Sequence, residues 1–291
     1  MDPISYFQAI VLGALQGVSE LFPISSLGHS VVLPALFGWN IHQNDDYFLS
    51  FLVATHCATA LVLFIFFWED WKRILSGLWR SIRARGRLDP EDHDARLGWL
   101  IVLATIPAGL LGLLLEHPLR QAFASAQTAA IFLFLNGLML FGAERLRRRA
   151  PEHVPEGPRS DIVIAQRLDF RRALGIGTAQ ALALIPGLSR SGASMSGGLL
   201  AGLSNEDAAR FAFLLATPII GAAALLKLPE LFGPQGDHVR GQAFVAALCA
   251  AVTAYLSVRF LLRFFETNRL TPFAVYCTVA GGALAIGFAL T

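Results

Sequence analysis

Along this chain the polar residues fall in clusters and the apolar residues in long windows. Residues 47–68 (YFLSFLVATHCATALVLFIFFW), 97–115 (LGWLIVLATIPAGLLGLLL) and 122–143 (AFASAQTAAIFLFLNGLMLFGA) carry no Asp, Glu, Lys or Arg. Residues 208–226, 242–264 and 272–290 are almost as apolar. Helices of about 20 such residues are long enough to cross the hydrocarbon core of a bilayer. Six spans are predicted, and with them an all-α polytopic membrane protein. Two other apolar stretches do not read as simple spans. Residues 4–38 are interrupted between Pro23 and Gly28, and residues 173–202 between Pro186 and Gly192. Each predicts two short helices joined by a polar bend, a re-entrant helical hairpin that leaves by the face it entered.

The two interrupted stretches resemble each other: aligned on proline, LFPISSLGHS lies over LIPGLSRSGAS. Each is followed by three spans, and an odd number of crossings gives the halves opposite orientations. The expected organisation is an inverted-topology repeat, with 1–144 as the first unit, 145–171 as a basic linker and 172–291 as the second unit. Interrupted helices at matching positions mark the binding site of such a repeat, near the bilayer midplane.

Charge supplies a direction. Fifteen of the 23 Lys and Arg lie in two connections. The first holds Lys72, Arg73, Arg80, Arg83, Arg85, Arg87 and Arg96; the second holds Arg145, Arg147, Arg148, Arg149, Arg159, Arg167, Arg171 and Arg172. The positive-inside rule puts both in the cytoplasm. The short connections near 116–120 and 229–241, and both termini, then face outside. Hairpin one enters from outside and hairpin two from inside. No removable signal peptide is expected at MDPISYFQAI. The three cysteines, Cys57, Cys249 and Cys277, lie in apolar spans without disulfide or metal spacing. Nothing suggests a folded basic surface for nucleic acid, so no nucleic-acid partner is expected.

The bends carry the chemistry. Ionisable groups at membrane depth are costly and mark function; here they are Glu20, His29 and Arg190, with His56 on the first span. Gln16 lies one helical turn before Glu20, on the same face. Ser25, Ser26, Ser189, Ser191 and Ser194 add hydroxyls, and Gly187 and Gly192 let backbone amides approach an anion at a helix start. Arg190 suits a phosphate. Ser26 and His29 are spaced to touch if SSLGHS opens a helix. A serine beside an imidazole, with a carboxylate and an arginine nearby, points to nucleophilic attack on a phosphorylated substrate. Each residue also has a bland role: helix-to-helix hydrogen bonding for a serine, packing for His56, a buried ion pair for Glu20 and Arg190.

QGVSELFPISSLGHS and ALIPGLSRSGAS resemble the paired signatures of the undecaprenyl pyrophosphate phosphatases of the bacitracin-resistance type. The resemblance runs over most of the chain. It implies a bacterial inner-membrane enzyme, open to the periplasm, that removes the terminal phosphate of the C55 isoprenoid diphosphate and recycles the carrier for peptidoglycan synthesis. The implied roles are nucleophile for Ser26, base and later acid for His29, and phosphate binding for Arg190. Gln16 and Glu20 are the implied acidic motif, with Glu20 orienting His29 or activating the nucleophile or water. His29 as nucleophile stays open. Gln16 stands where many members have glutamate, Leu27 where a small polar residue is common and Ser194 where threonine is common. A divalent cation, Mg or Ca, is compatible with a diphosphate substrate, but Glu20 and Gln16 would make a weak cage for it. No organic cofactor is expected, and a homodimer rests on the resemblance alone. A transporter or flippase for an anionic or polyprenyl phosphate lipid is the alternative, because interrupted inverted repeats are a transporter design.

Overall fold

A computed structural model describes residues 4–41, 46–122, 125–147, 160–233 and 239–290. The described residues form α-helices, a short 3-10 turn and connections, with no strand among them. Five helices are long and apolar enough to cross a membrane: α5 (His93–Ala122), α6 (Ala126–Arg147), α10 (Asn205–Phe232), α11 (Arg240–Thr267) and α12 (Thr271–Leu290). A sixth candidate is α3 (Asp46–Phe66), which bends by 80° at Phe67 into α4 (Trp68–Arg83). Many large apolar side chains point outward, Leu113, Leu114, Leu225, Leu226 and Val279 among them. In water such a surface would aggregate; in lipid it is the solvated face. The chain is an all-α polytopic membrane protein.

The interrupted stretches fold as pairs of short helices. In the first, α1 (Tyr6–Ser19) starts with a reciprocal cap, Ser5 accepting from the Gln8 amide while the Gln8 side chain accepts from the Ser5 amide. It ends before Pro23, and α2 (Ser26–Leu36) begins at a new cap, Ser25, whose Oγ accepts from the Gly28 amide. In the second, α8 (Phe170–Gln180) tightens into a 3-10 turn (Ala181–Leu184) before Pro186. Then α9 (Arg190–Leu200) begins at Ser189, whose Oγ accepts from the Gly192 amide. Both α2 and α9 are 11 residues long and both use a serine cap on a glycine amide. Each leading helix also packs close against a distant span. A Cβ on Gly17 of α1 would sit 2.2 Å from the Ala250 carbonyl oxygen of α11, and one on Gly177 of α8 2.1 Å from that of Ala104 of α5.

Two expected connections are helical. The basic stretch after the first span forms α4, which buries Trp71, Ile74 and Gly77. It leaves Trp68 and Trp79 exposed, with Lys72 and Arg83 over their rings. That is the pattern of a helix lying in the headgroup layer, apolar residues interleaved with basic ones. The connection expected near 116–120 is instead a continuation of α5 to Ala122. Of the linker, α7 (Ser160–Arg167) is described; 148–159 lie outside the described residues, as do 234–238 of the connection expected at 229–241. Asp161 of α7 accepts from Arg73 of α4 at 2.6 Å and from Arg210 of α10 at 2.7 Å, and Arg210 also reaches Asp70. This partly buried charge cluster ties the three helices together.

Candidate active site

The two bends meet. Ser191 Oγ, in the second, donates to the carbonyl of Phe22 in the first at 2.9 Å. Gly28 faces Gly187 so closely that a Cβ on Gly28 would lie 2.8 Å from the Gly187 Cα. Gly187 has φ +102, and a Cβ there would lie 2.3 Å from the Ala129 carbonyl oxygen, so only glycine meets both demands. Between the bends stands Asn136 of α6, fully buried. Its Nδ2 donates to the Pro23 carbonyl at 2.9 Å, and its Oδ1 accepts from the Ser189 amide at 3.0 Å. One carboxamide therefore brackets both bends.

Glu20 lies at the centre of the polar group. It is the residue after α1, 7% exposed, so its carboxylate needs partners on every side. Arg190 Nη2 donates to Oε1 at 3.0 Å. Oε2 accepts from Ser26 Oγ at 2.5 Å and from Gln16 Nε2 at 3.1 Å. His56 Nε2 lies 3.6 Å from the same oxygen and 3.3 Å from Gln16 Nε2. His56 Nδ1 faces the Leu52 carbonyl at 2.8 Å and so carries a proton. Ser26 reaches Glu20 because Ser25 turns the chain sharply, with φ +71, an uncommon conformation for a residue with a side chain.

His29 stands apart from this group. Its spacing to Ser26 predicts contact, but its partners are the Ser25 carbonyl, 2.7 Å from Nδ1, and the hydroxyl of Tyr276 on α12, 2.8 Å from Nε2. The local reason is the cap: once Ser25 starts α2, its carbonyl points along the helix toward the side chain four residues on. The hydroxyl of Ser26 is turned back to Glu20. Ser189 and Ser191 bond each other and the bends. Ser25 and Gly192 form caps. Ser194 is fully buried, and its hydroxyl has no hydrogen-bond partner among the described residues. The same is true of Arg190 Nη1, a buried guanidinium nitrogen with a donor to spare. Sequence reasoning missed Asn136 and Tyr276; each was legible only as one polar side chain inside an apolar window.

The donor set is a poor fit to a protein-held Mg or Ca ion, which takes several oxygens. The one carboxylate has both oxygens engaged, and no group of three His, Cys, Asp or Glu is placed for a metal among the described residues.

Fold and site together define a membrane-embedded helical protein with a serine hydroxyl on a buried carboxylate, which in turn pairs with an arginine. The family described as bacitracin resistance protein BacA matches residues 9–283, and the chain belongs to it. Similar proteins include the undecaprenyl-diphosphatase of Mycolicibacterium paratuberculosis, 51% identical over 99% of this chain and 98% of that one. That of Mycobacterium avium is 50% identical with the same coverage. Undecaprenyl-diphosphatase 2 of Frankia alni is 45% identical over the full length of both chains.

Proposed function

We propose that this protein hydrolyses undecaprenyl diphosphate to the monophosphate and inorganic phosphate. That activity recycles the lipid carrier for peptidoglycan synthesis and confers bacitracin resistance. Family membership and the full-length relatives support the reaction. The observation that carries the mechanism is the 2.5 Å contact of Ser26 Oγ with Glu20 Oε2, with Arg190 on the opposite carboxylate oxygen.

In this reading Glu20, not His29, takes the Ser26 proton. Ser26 Oγ bonds to the terminal phosphorus, the bridging P–O bond breaks and its electron pair leaves with the lipid monophosphate. Water then cleaves the phosphoserine. Arg190 offers its spare Nη1 to the phosphoryl oxygens, where charge develops in the transition state. His29, on the other flank of the bend, exchanges a proton with the leaving group or the incoming water. Gln16 and His56 hold Glu20 from behind. No step runs through a metal.

The halves are read as an inverted repeat, supported by their matching serine-capped helices. The proposed location is the bacterial inner membrane with the site open to the periplasm. A homodimer belongs to the same proposal and is tested by the detergent-corrected mass of the purified protein.

The test is phosphate release from undecaprenyl diphosphate in detergent. Native protein is expected to turn over, with Ser26→Ala and Arg190→Ala each reduced by about 10²–10⁴-fold. Full activity in Ser26→Ala removes it as nucleophile. No release from folded native protein moves the transporter reading, which the paired interrupted helices also fit, to first place.

A further inference from the structure

Beside α4 the surface of the bundle is hollow. A groove of about 490 Å³, the size of a small-molecule site, runs between α4, α5 and Pro218 of α10. Trp71, Leu75 and Leu78 of α4 line one part of it, and Gly98, Val102 and Gly109 lie along α5. From Gly98 to Leu110, both in its lining, α5 rises about 18 Å. One leaflet's hydrocarbon is about 15 Å deep. Two side chains in the lining carry polar groups. The Thr105 hydroxyl is satisfied by the Ile101 carbonyl of its own helix at 2.8 Å. The indole N–H of Trp71 is buried without an acceptor among the described residues, a costly arrangement unless a ligand supplies one. Charge lies next to the groove. Trp68, Lys72, Leu75, Trp79 and Arg83 form one exposed stripe of α4, spaced by three or four residues. Leu75 belongs to both stripe and groove. Lys72, Arg73 and Arg80 each have a carboxylate partner, Glu69, Asp70 and Asp92. Arg83 has none among the described residues; its guanidinium lies 4.9 Å from the centre of the Trp79 ring.

We propose that this groove is a binding site for one anionic phospholipid. Its acyl chain lies along α5, its phosphate at Arg83 and Lys72, and an ester carbonyl accepts from the Trp71 N–H. The 80° bend at Phe67 sets α4 across the direction of α3. A groove that begins at α4 and follows α5 therefore leads from the headgroup layer into the acyl region. Groove and charge do different work. Every lipid chain is as apolar as the groove wall, so the groove fixes a place without choosing a lipid. The choice falls to charge, since each cation near the surface favours an anionic lipid by about fivefold. A zwitterionic headgroup carries the same phosphate with its own ammonium beside it and gains less. Glu20, Ser26 and Arg190 do not line the groove, so the site is separate from the reacting groups.

The test is native mass spectrometry of the full-length protein in detergent, equilibrated with phosphatidylglycerol or with phosphatidylcholine of the same chain length. One phosphatidylglycerol adduct is expected, with an affinity at least about fivefold above that for phosphatidylcholine. Arg83→Gln should lower the phosphatidylglycerol affinity by about fivefold and leave phosphatidylcholine within about twofold. Gly109→Phe should plug the groove and abolish the adduct. A Cβ at Gly109 meets only Ile219 Cδ1, at 3.8 Å, an ordinary contact, so α5 accepts a side chain there. Gly109→Leu is the smaller plug to use should the phenylalanine variant fail to fold. Thermal unfolding in the same detergent is a second readout: phosphatidylglycerol should raise the midpoint of native protein more than that of either variant. Equal affinity for the two lipids, an unchanged preference in Arg83→Gln, or an unchanged adduct in the folded Gly109 variant overturns the proposal. Undecaprenyl phosphate that displaces phosphatidylglycerol at equal concentration would assign the groove to a polyprenyl chain and overturn it as well.

Discussion

Glu20 shows how one residue can be costly and necessary at once. A carboxylate taken out of water loses several kcal/mol of solvation, and only charged or hydrogen-bonded partners restore it. Arg190, Ser26 and Gln16 do so here. The same contacts place the carboxylate against the Ser26 hydroxyl, where the proposed reaction uses it as a base, and tether Arg190 beside it. Glu20→Gln keeps the shape, removes the charge and leaves the guanidinium unpaired. Phosphate release should fall by about 10²–10⁴-fold, the usual worth of a positioned base, and thermal stability in detergent should fall as well. Retained activity would show that Ser26 loses its proton elsewhere. The sequence made Glu20, Ser26 and Arg190 visible because charge and hydroxyls are rare in apolar windows. It did not reveal that Ser26 turns toward Glu20 and His29 toward Tyr276. That division depends on Ser25 adopting φ +71, which residue type does not announce.

Among the elements, the spans were legible because charge is almost absent from them, and α4 was not. Its apolar residues alternate with Lys72, Arg73 and Arg80, so it lacks an uncharged window and shows only when placed on a helical period. The start of α5 is tied to it: Arg80 bonds both oxygens of Asp92 at 2.9 Å, and Asp92 caps the Ala95 amide at 3.0 Å. The Arg80 hydrogen bond holds the Asp92 carboxyl below its ordinary value, against the opposing effect of partial burial. A depressed carboxyl contributes stability above its unfolded pKa of about 3.9 and loses it as pH falls through the lower folded value. Asp92→Asn should therefore destabilise modestly at pH 7, by no more than about 1 kcal/mol for so exposed a pair. The difference from native should fade as pH drops below about 4. Thermal unfolding in detergent across that range measures it, and a pH-independent difference would leave only the cap.

At the scale of the whole molecule, the site exists only where the two halves touch. Gly28 against Gly187 is the closest part of that seam, and Asn136 spans it from α6. Gly187→Ala should separate the bends, since its Cβ would fall 2.3 Å from the Ala129 carbonyl oxygen and its φ is unfavourable for alanine. A stability loss of at least about 1–3 kcal/mol is expected from the strain, together with loss of phosphate release greater than the unfolded fraction explains. Unchanged turnover would mean that the bends need no such proximity. The matching prolines and serines pointed to this juxtaposition, but a lone asparagine in an apolar window said nothing of its two partners.

The ion pair between Glu20 and Arg190 also has a history within each molecule. The two residues are 170 positions apart, so at about 5–20 residues per second the ribosome makes the arginine some 10–30 s after the glutamate. Through that interval the first hairpin is without its cationic partner, and the Glu20 carboxyl has only Ser26, Gln16 and His56, all from its own half of the chain, to face. In the proposed reaction a nascent chain therefore lacks its phosphate-binding arginine until its two halves have closed on each other.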